Sequence, residues 1–436
     1  MPYVVPSSPA PPGAPPPGPG RRGRWSRTVR RFAAVVALAT GAALAGPGTA
    51  GAAPAAPVVA EARAAAALER VTSFGANPGG LNMYVYRPAA LPASAPVVVA
   101  LHGCTQSAQV YSDNAGLNTF ADRHGFLVVY AETTTANNAN KCFNWFQPGD
   151  TRRGQGEAAS IRQMVAHAAT AYGADTGRVR VTGLSAGGAM TSVMLAAYPD
   201  VFAAGAVVAG IPYGCGTDVV SAFGCMSPGV DRTPAAWAQA VRNAHPGFAG
   251  PWPRVAIWHG DNDATVAPRN ADELRDQWTA VHGLGQTPDR TSTIGPDSTR
   301  RSEYLAADGR SVVEVDRVPG IGHGTPVDPG SGAEQCGATG TQHFIDSICS
   351  GYWITRFFGL DGTTTPEPPV DPPTEPAACW TANNYEHVRA GRATTTGGQV
   401  YAKGSGQHLG LYNTFVTHTL KESPAGHYVV ADGSCP

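Results

Sequence analysis

The sequence is poor in charge. Asp, Glu, Lys and Arg make up 14% of its 436 residues, well below the roughly 25% of an average globular chain. Lysine is nearly absent: Lys141, Lys403 and Lys421 are the only three. The formal net charge is −1. That balance offers no electrostatic attraction to nucleic acid or to an anionic membrane, so neither is expected as a partner. No CxxC pair occurs among the eight cysteines, which argues against a zinc ribbon or a thioredoxin-type redox motif. No apolar run reaches the 18 or so residues of a membrane-spanning helix. What the chain has in quantity is turn formers, 53 glycines and 38 prolines.

The first 52 residues read as a disordered, proline-rich start followed by a secretory leader. Nine prolines lie in 1–20, six arginines in 21–31, an apolar run of 13 residues at 33–45, and a small-residue cleavage pattern at Ala50-Gly51-Ala52. A charged, then apolar, then small order is that of a secretory signal. The mature protein is therefore expected to be secreted and extracellular, with its even number of cysteines paired in disulfides. Pairing by nearness in sequence gives 104–142, 215–225, 336–349 and 379–435, although spacing alone does not fix connectivity.

Between about 65 and 360, short apolar runs alternate with helical stretches. PVVVAL (96–101), FLVVY (126–130), RVRVT (178–182), AGAVVA (204–209) and VAIW (255–258) read as buried strands. Helices are expected over 112–123, 157–172, 187–197 and 271–282. Continuous Val/Ile/Leu strands separated by helices predict a doubly wound, mostly parallel α/β sheet covered on both faces. TTTPEPPVDPPTEP at 363–376 cannot form a core and reads as an extended linker. It divides a catalytic domain at 53–362 from a small module at 377–436. That module is rich in Thr, Tyr and Val and is expected to be β-rich, and Cys379 and Cys435 stand near its two ends.

One pattern carries chemistry. Gly183-Leu184-Ser185-Ala186-Gly187 follows the strand RVRVT and precedes a helical run. A sharp strand-to-helix turn needs small residues on either side of a serine and lifts its hydroxyl to the carboxyl edge of the sheet. Such a serine needs a base, and the base needs a carboxylate, in the chain order Ser, acid, His. Asp261 and Asp263 follow the strand VAIW and compete as the acid; spacing does not separate them. The Asp-Asn-Asp triplet lacks the rest of a calcium-binding loop. His323, in the loop GIGHGTPV, is the expected base. His343 is its rival, but its surroundings (TQHFIDSICSGYWITRFF) read as a helix, where a packed or surface histidine is expected. Chain order sets aside His102, His124 and His167. Leu101-His102-Gly103-Cys104 follows an early strand. It points to the backbone N–H groups of Cys104 and Ala186 as an oxyanion hole. This chemistry calls for no metal or organic cofactor. Trp145, Trp252 and Trp258 are candidates for the wall of a substrate cleft, with Trp145 the favoured one; Trp258 lies inside a strand and is expected in the core.

LHGCTQ (101–106), CFNWF (142–146), GLSAGGAM (183–190), WHGDNDATV (258–266) and GIGHGTPV (320–327) together resemble the extracellular polyhydroxybutyrate depolymerase family of esterases. The resemblance implies an α/β-hydrolase fold and a serine esterase. It assigns the acid to the second Asp of HGxxDxxV, which is Asp263 here. The C-terminal text resembles the substrate-binding module often attached to secreted depolymerases. The implied substrate is a solid polyester of the poly(3-hydroxybutyrate) type or another polymeric ester. Feruloyl and acetylxylan esterases look similar in the catalytic motifs, so esters of plant cell-wall polysaccharide are the alternative. With serine, acid, histidine and oxyanion loop all intact, a non-catalytic adhesion protein on the same scaffold is disfavoured.

Overall fold

A computed structural model describes residues 68–362, 379–422 and 426–432. The expected leader at 1–52 and linker at 363–376 lie outside the described residues. Two strands come first, β1 (Glu69–Val71) and β2 (Asn82–Tyr86). The alternation then begins with β3 (Val97–Leu101), α1 (Ala108–Asn114), α2 (Leu117–His124) and β4 (Leu127–Glu132). Next are α3 (Pro148–Thr151), α4 (Gly156–Tyr172), β5 (Val179–Leu184), α5 (Ala186–Ala197) and β6 (Phe202–Val208). They are followed by α6 (Val219–Met226), α7 (Pro234–Ala244), β7 (Arg254–Gly260) and α8 (Arg269–Val281). Three strands, β8 (Arg290–Ile294), β9 (Thr299–Leu305) and β10 (Ser311–Val318), complete one large sheet. A short parallel pair, β11 (Thr325–Val327) and β12 (Phe344–Asp346), and the helix α9 (Ser350–Phe357) follow.

The ten-stranded sheet runs β1-β2-β4-β3-β5-β6-β7-β10-β9-β8. Its centre, β4 through β10 in that order, is parallel; β2 and β9 flank it antiparallel. This is the α/β-hydrolase arrangement. Every residue of β3, β5, β6 and β7 is buried, as a sheet covered on both faces requires. The strand period divides the core in two. Val97, Val99 and Leu101 pack on one face with Met164, Met190, Trp237 and Trp278. Val98 and Ala100 pack on the other with Tyr111, Phe120 and Phe357.

Two expectations are corrected. The helix expected at 112–123 is two helices, broken at Ala115 and Gly116. Gly116 takes φ 79°, and a Cβ there would strike the sulfur of Cys336. The stretch holding His343 is not helical at that residue. His343 sits in a loop at φ 70°, then β12 follows, and α9 starts only at Ser350, after Cys349. The disulfide 336–349 ties this segment down; two others, 104–142 and 215–225, also form as expected. The expected partner of Cys379, Cys435, lies outside the described residues.

The described C-terminal segment is small and β-rich. It contains β13 (Cys379–Asn383), α10 (Asn384–Arg389), β14 (Ala393–Thr396), β15 (Gln399–Ala402), β16 (His408–Leu411), β17 (Thr417–Glu422) and β18 (Tyr428–Val430). They form two antiparallel three-stranded sheets around Ala393, Val400, Ala402, Leu409 and Leu420. Among the described residues no helix is long and apolar enough to cross a membrane.

Candidate active site

The carboxyl ends of β3, β5, β7 and β10 converge on one edge of the sheet, where open α/β sheets hold their ligands. Ser185 is the residue between β5 and α5. Its φ of 58° and ψ of −117° are strained for any side-chain-bearing residue. The flanking glycines make the turn possible: a Cβ on Gly183 would lie 2.5 Å from the carbonyl oxygen of Gly187, and one on Gly187 would collide with that of Leu101. The turn is held by Ser185 N–H donating to Val208 O at 2.9 Å.

The three sequence-predicted polar residues meet. His323 Nε2 lies 2.8 Å from Ser185 Oγ, and His323 Nδ1 lies 2.7 Å from Asp263 Oδ2. The other Asp263 oxygen accepts from the N–H groups of Thr265 at 2.9 Å and Val266 at 2.8 Å. Burial alone would raise this carboxyl. Hydrogen bonds from His259 and His323, with the N–H of Val266, outweigh it and hold the group well below the usual carboxylate range. The rival Asp261 faces away and pairs with Arg300 at 2.6 Å. The geometry therefore separates the two aspartates that spacing left tied.

The loop after β3 carries Cys104, one of the two residues expected to offer an oxyanion N–H. Gly103 N–H donates to Gln106 Oε1 at 2.9 Å, and Thr105 N–H to Asn140 O at 2.7 Å. The N–H of Cys104 lies between them, in a residue that lines the cavity with Ser185. Its peptide is oriented from behind. His102 Nε2 accepts from Thr133 N–H at 3.2 Å, which leaves Nδ1–H to donate to Gly103 O at 2.7 Å. That carbonyl belongs to the same peptide as the Cys104 N–H, so fixing one fixes the other. Burial lowers the His102 pKa and keeps the ring neutral, as this tautomer requires. Ala186 is the first residue of α5, where helical N–H groups have no partner within the helix.

The cavity at Ser185 measures about 390 Å³. Trp145 lines it, packed edge-on against Phe146, with ring centroids 5.3 Å apart. The disulfide between Cys104 and Cys142 joins the loop after β3 to the CFNWF loop. Asn144 anchors that loop, donating its N–H to the buried carboxyl of Glu157 at 2.8 Å. The other two tryptophans do not line the cavity. Trp252 packs on Phe248, and Trp258 is fully buried in β7. Two features of the lining went unread in the sequence. His343 lines it, with Nδ1 3.1 Å from His323 O. The apolar wall is Ile211 with Val219, Phe223 and Met226 of α6. The sequence signal for the α6 part of that wall was the uncharged stretch VVSAFGCM at 219–226.

Fold and site define a carboxylic-ester hydrolase, and comparison with known proteins agrees. The esterase PHB depolymerase family matches residues 80–297, a span that includes Ser185 and Asp263. Poly(3-hydroxyalkanoate) depolymerase C of Paucimonas lemoignei is 52% identical over 68% of this chain and 71% of its own length. An acetylxylan esterase of Coprinopsis cinerea is 39% identical over 60% of this chain and 70% of its own length. Among solved structures, an acetyl xylan esterase from Aspergillus awamori superposes with a TM-score of 0.57. It is 29% identical, over 67% of this chain and 99% of its own. The chain belongs to the esterase PHB depolymerase family.

Proposed function

We propose that this enzyme is a secreted serine esterase that cleaves the backbone esters of a solid polyester of the poly(3-hydroxybutyrate) type. His323 takes the proton of Ser185 as Oγ attacks the ester carbonyl. Asp263 holds the imidazole in the tautomer that leaves Nε2 free to accept. The N–H groups of Cys104 and Ala186 receive the oxyanion. Collapse expels the alcohol end, protonated by His323, and leaves an acyl-enzyme on Ser185. Water, deprotonated by His323, then attacks the acyl carbonyl and releases the acid. Trp145 forms part of the substrate wall.

The observation that carries the substrate is the 52% identity to a polyhydroxyalkanoate depolymerase, against 39% to an acetylxylan esterase. The division into catalytic domain (53–362), linker (363–376) and substrate-binding module (377–436) belongs to the same proposal. What supports it is the module's surface. Tyr385, Tyr412 and Phe415 stand exposed, Phe415 at 91%, while Trp380, Tyr401 and Tyr428 are half-buried. The first three are free to adsorb on polymer, and the linker would keep the catalytic domain near the surface once they do. A second reading, an esterase of plant cell-wall polysaccharide, is favoured by the acetyl xylan esterase superposition.

The test is product analysis of the purified enzyme on polyhydroxybutyrate film, methyl ferulate and acetylated xylan, each with a Ser185→Ala control. Hydroxybutyrate monomer or dimer from the film, absent in the control, is expected. Ferulate or acetate release beside an untouched film would replace the substrate while keeping the chemistry.

A further inference from the structure

Among the described residues of 68–362, the large apolar side chains that stand exposed are Val219 (55%), Val220 (82%) and Phe223 (66%). All three lie on α6, whose sequence VVSAFGCM carries no charge. Helices at a protein surface ordinarily turn such side chains inward.

The exposure does not come from a loose segment. Asp218 Oδ1 accepts from Ser221 N–H at 2.9 Å, and Ser221 Oγ accepts from Asp218 N–H at 3.1 Å, which closes the first turn. Cys225 is buried and bonded to Cys215. Asn270 Nδ2 donates to Cys225 O at 3.0 Å, and Ala267 N–H donates to Met226 O at 2.8 Å. Ala222 and Cys225 face the core, and the same helix holds Val219, Val220 and Phe223 outward.

The patch is continuous with the active site. Val219 and Phe223 line the Ser185 cavity, whereas Val220 does not. Apolar surface therefore runs from the nucleophile over the cavity lip onto the outer face of α6. We propose that α6 is the apolar foot by which the catalytic part of the chain rests on solid aliphatic polyester, with Val220 touching polymer outside the cavity. This rests on the polyester substrate proposed above. The chemistry of the face selects that occupant. Methyl groups and one phenyl ring offer no donors or acceptors to a hydroxyl-rich polysaccharide. A helix without Lys or Arg, capped by Asp218, does not suit anionic lipid. Three side chains cover far less than the roughly 800 Å² that each partner of a stable dimer buries.

The test uses the full chain with Val220→Glu, Val220→Ser and Val220→Ile. Hydrolysis of soluble p-nitrophenyl acetate uses the cavity alone and stays within twofold in all three. Turnover on polyhydroxybutyrate film is measured at loadings where depletion from solution shows all protein bound, so that module adsorption is not limiting. It falls about tenfold in Val220→Glu, because a carboxylate cannot replace the valine methyl groups against an apolar solid. It falls less in Val220→Ser and is kept in Val220→Ile. Film turnover equal to wild type in both polar variants overturns the foot. So does an equal loss on film and soluble ester. A wild-type enzyme that leaves film untouched overturns the substrate proposal and the foot with it; the other two outcomes overturn the foot alone.

Discussion

Asp263→Asn isolates the role proposed for the acid. Two backbone N–H groups, from Thr265 and Val266, point at Asp263 Oδ1. In the asparagine variant they select the amide oxygen for that position. The amide nitrogen then occupies the place of Oδ2, 2.7 Å from His323 Nδ1. An N–H donor there forces Nδ1 to accept, so the ring proton moves to Nε2, opposite Ser185 Oγ. The base is present, correctly placed, and in the wrong tautomer. The expected loss is about 10⁴-fold in kcat, equivalent to about 5.5 kcal/mol of barrier. Because both N–H groups keep their acceptor, the variant stays folded and its Tm moves by only a few degrees. Steady-state hydrolysis of a soluble ester, with thermal unfolding alongside, reads both effects. Asp261→Asn, which breaks only the ion pair with Arg300, is the control and stays within twofold. A loss below tenfold in Asp263→Asn, or a large loss in Asp261→Asn, would refute the assignment.

Three further outcomes follow from the same structure. Burial pushes the Glu157 carboxyl from 4.5 up to about 8; its stability contribution is therefore present below about pH 4.5 and lost as pH rises through about 8. Glu157→Gln, neutral throughout, should flatten the fall of Tm across that window, and an unchanged slope would count against it. Replacing Cys104 and Cys142 together by serine opens a 38-residue loop, at a cost of about 4 kcal/mol on the chain-entropy model. Freeing the oxyanion loop should also lower soluble-ester kcat by up to about 10²-fold; full activity at reduced Tm would detach the disulfide from catalysis. Phe415→Ser with Tyr412→Ser in the full chain should reduce adsorption to film while leaving soluble-ester hydrolysis unchanged, and equal adsorption would place the binding surface elsewhere.

Much of this was legible in the sequence because it is local. The strand RVRVT running into Gly183–Gly187 announces a strained turn through the glycines it demands, and the structure puts a strand, a positive-φ serine and a helix there. Buried parallel strands announce themselves as unbroken apolar runs, as β3 and β7 do. The choice between Asp261 and Asp263 was not local. Both follow the same strand, and only the fold shows one meeting His323 and the other meeting Arg300. His343 misled for a related reason. The apolar residues after it favour a helix, but pairing of β11 with β12 and the disulfide at Cys349 delay the helix to Ser350. Tertiary constraint overrode local preference and left the imidazole on the cavity wall. Helix α6 was missed because its apolar side chains face outward, against the rule by which helices are read.

Ser185 is proposed as the nucleophile through which every ester passes. Stoichiometric labelling with a fluorophosphonate, read by intact and peptide mass, is the decisive measurement. One label per chain is expected, on the peptide carrying Ser185, with hydrolysis of both film and soluble ester lost in proportion to labelling. No label is expected in Ser185→Ala. Label on another residue, or hydrolysis that persists in a fully labelled enzyme, would remove Ser185 from that role.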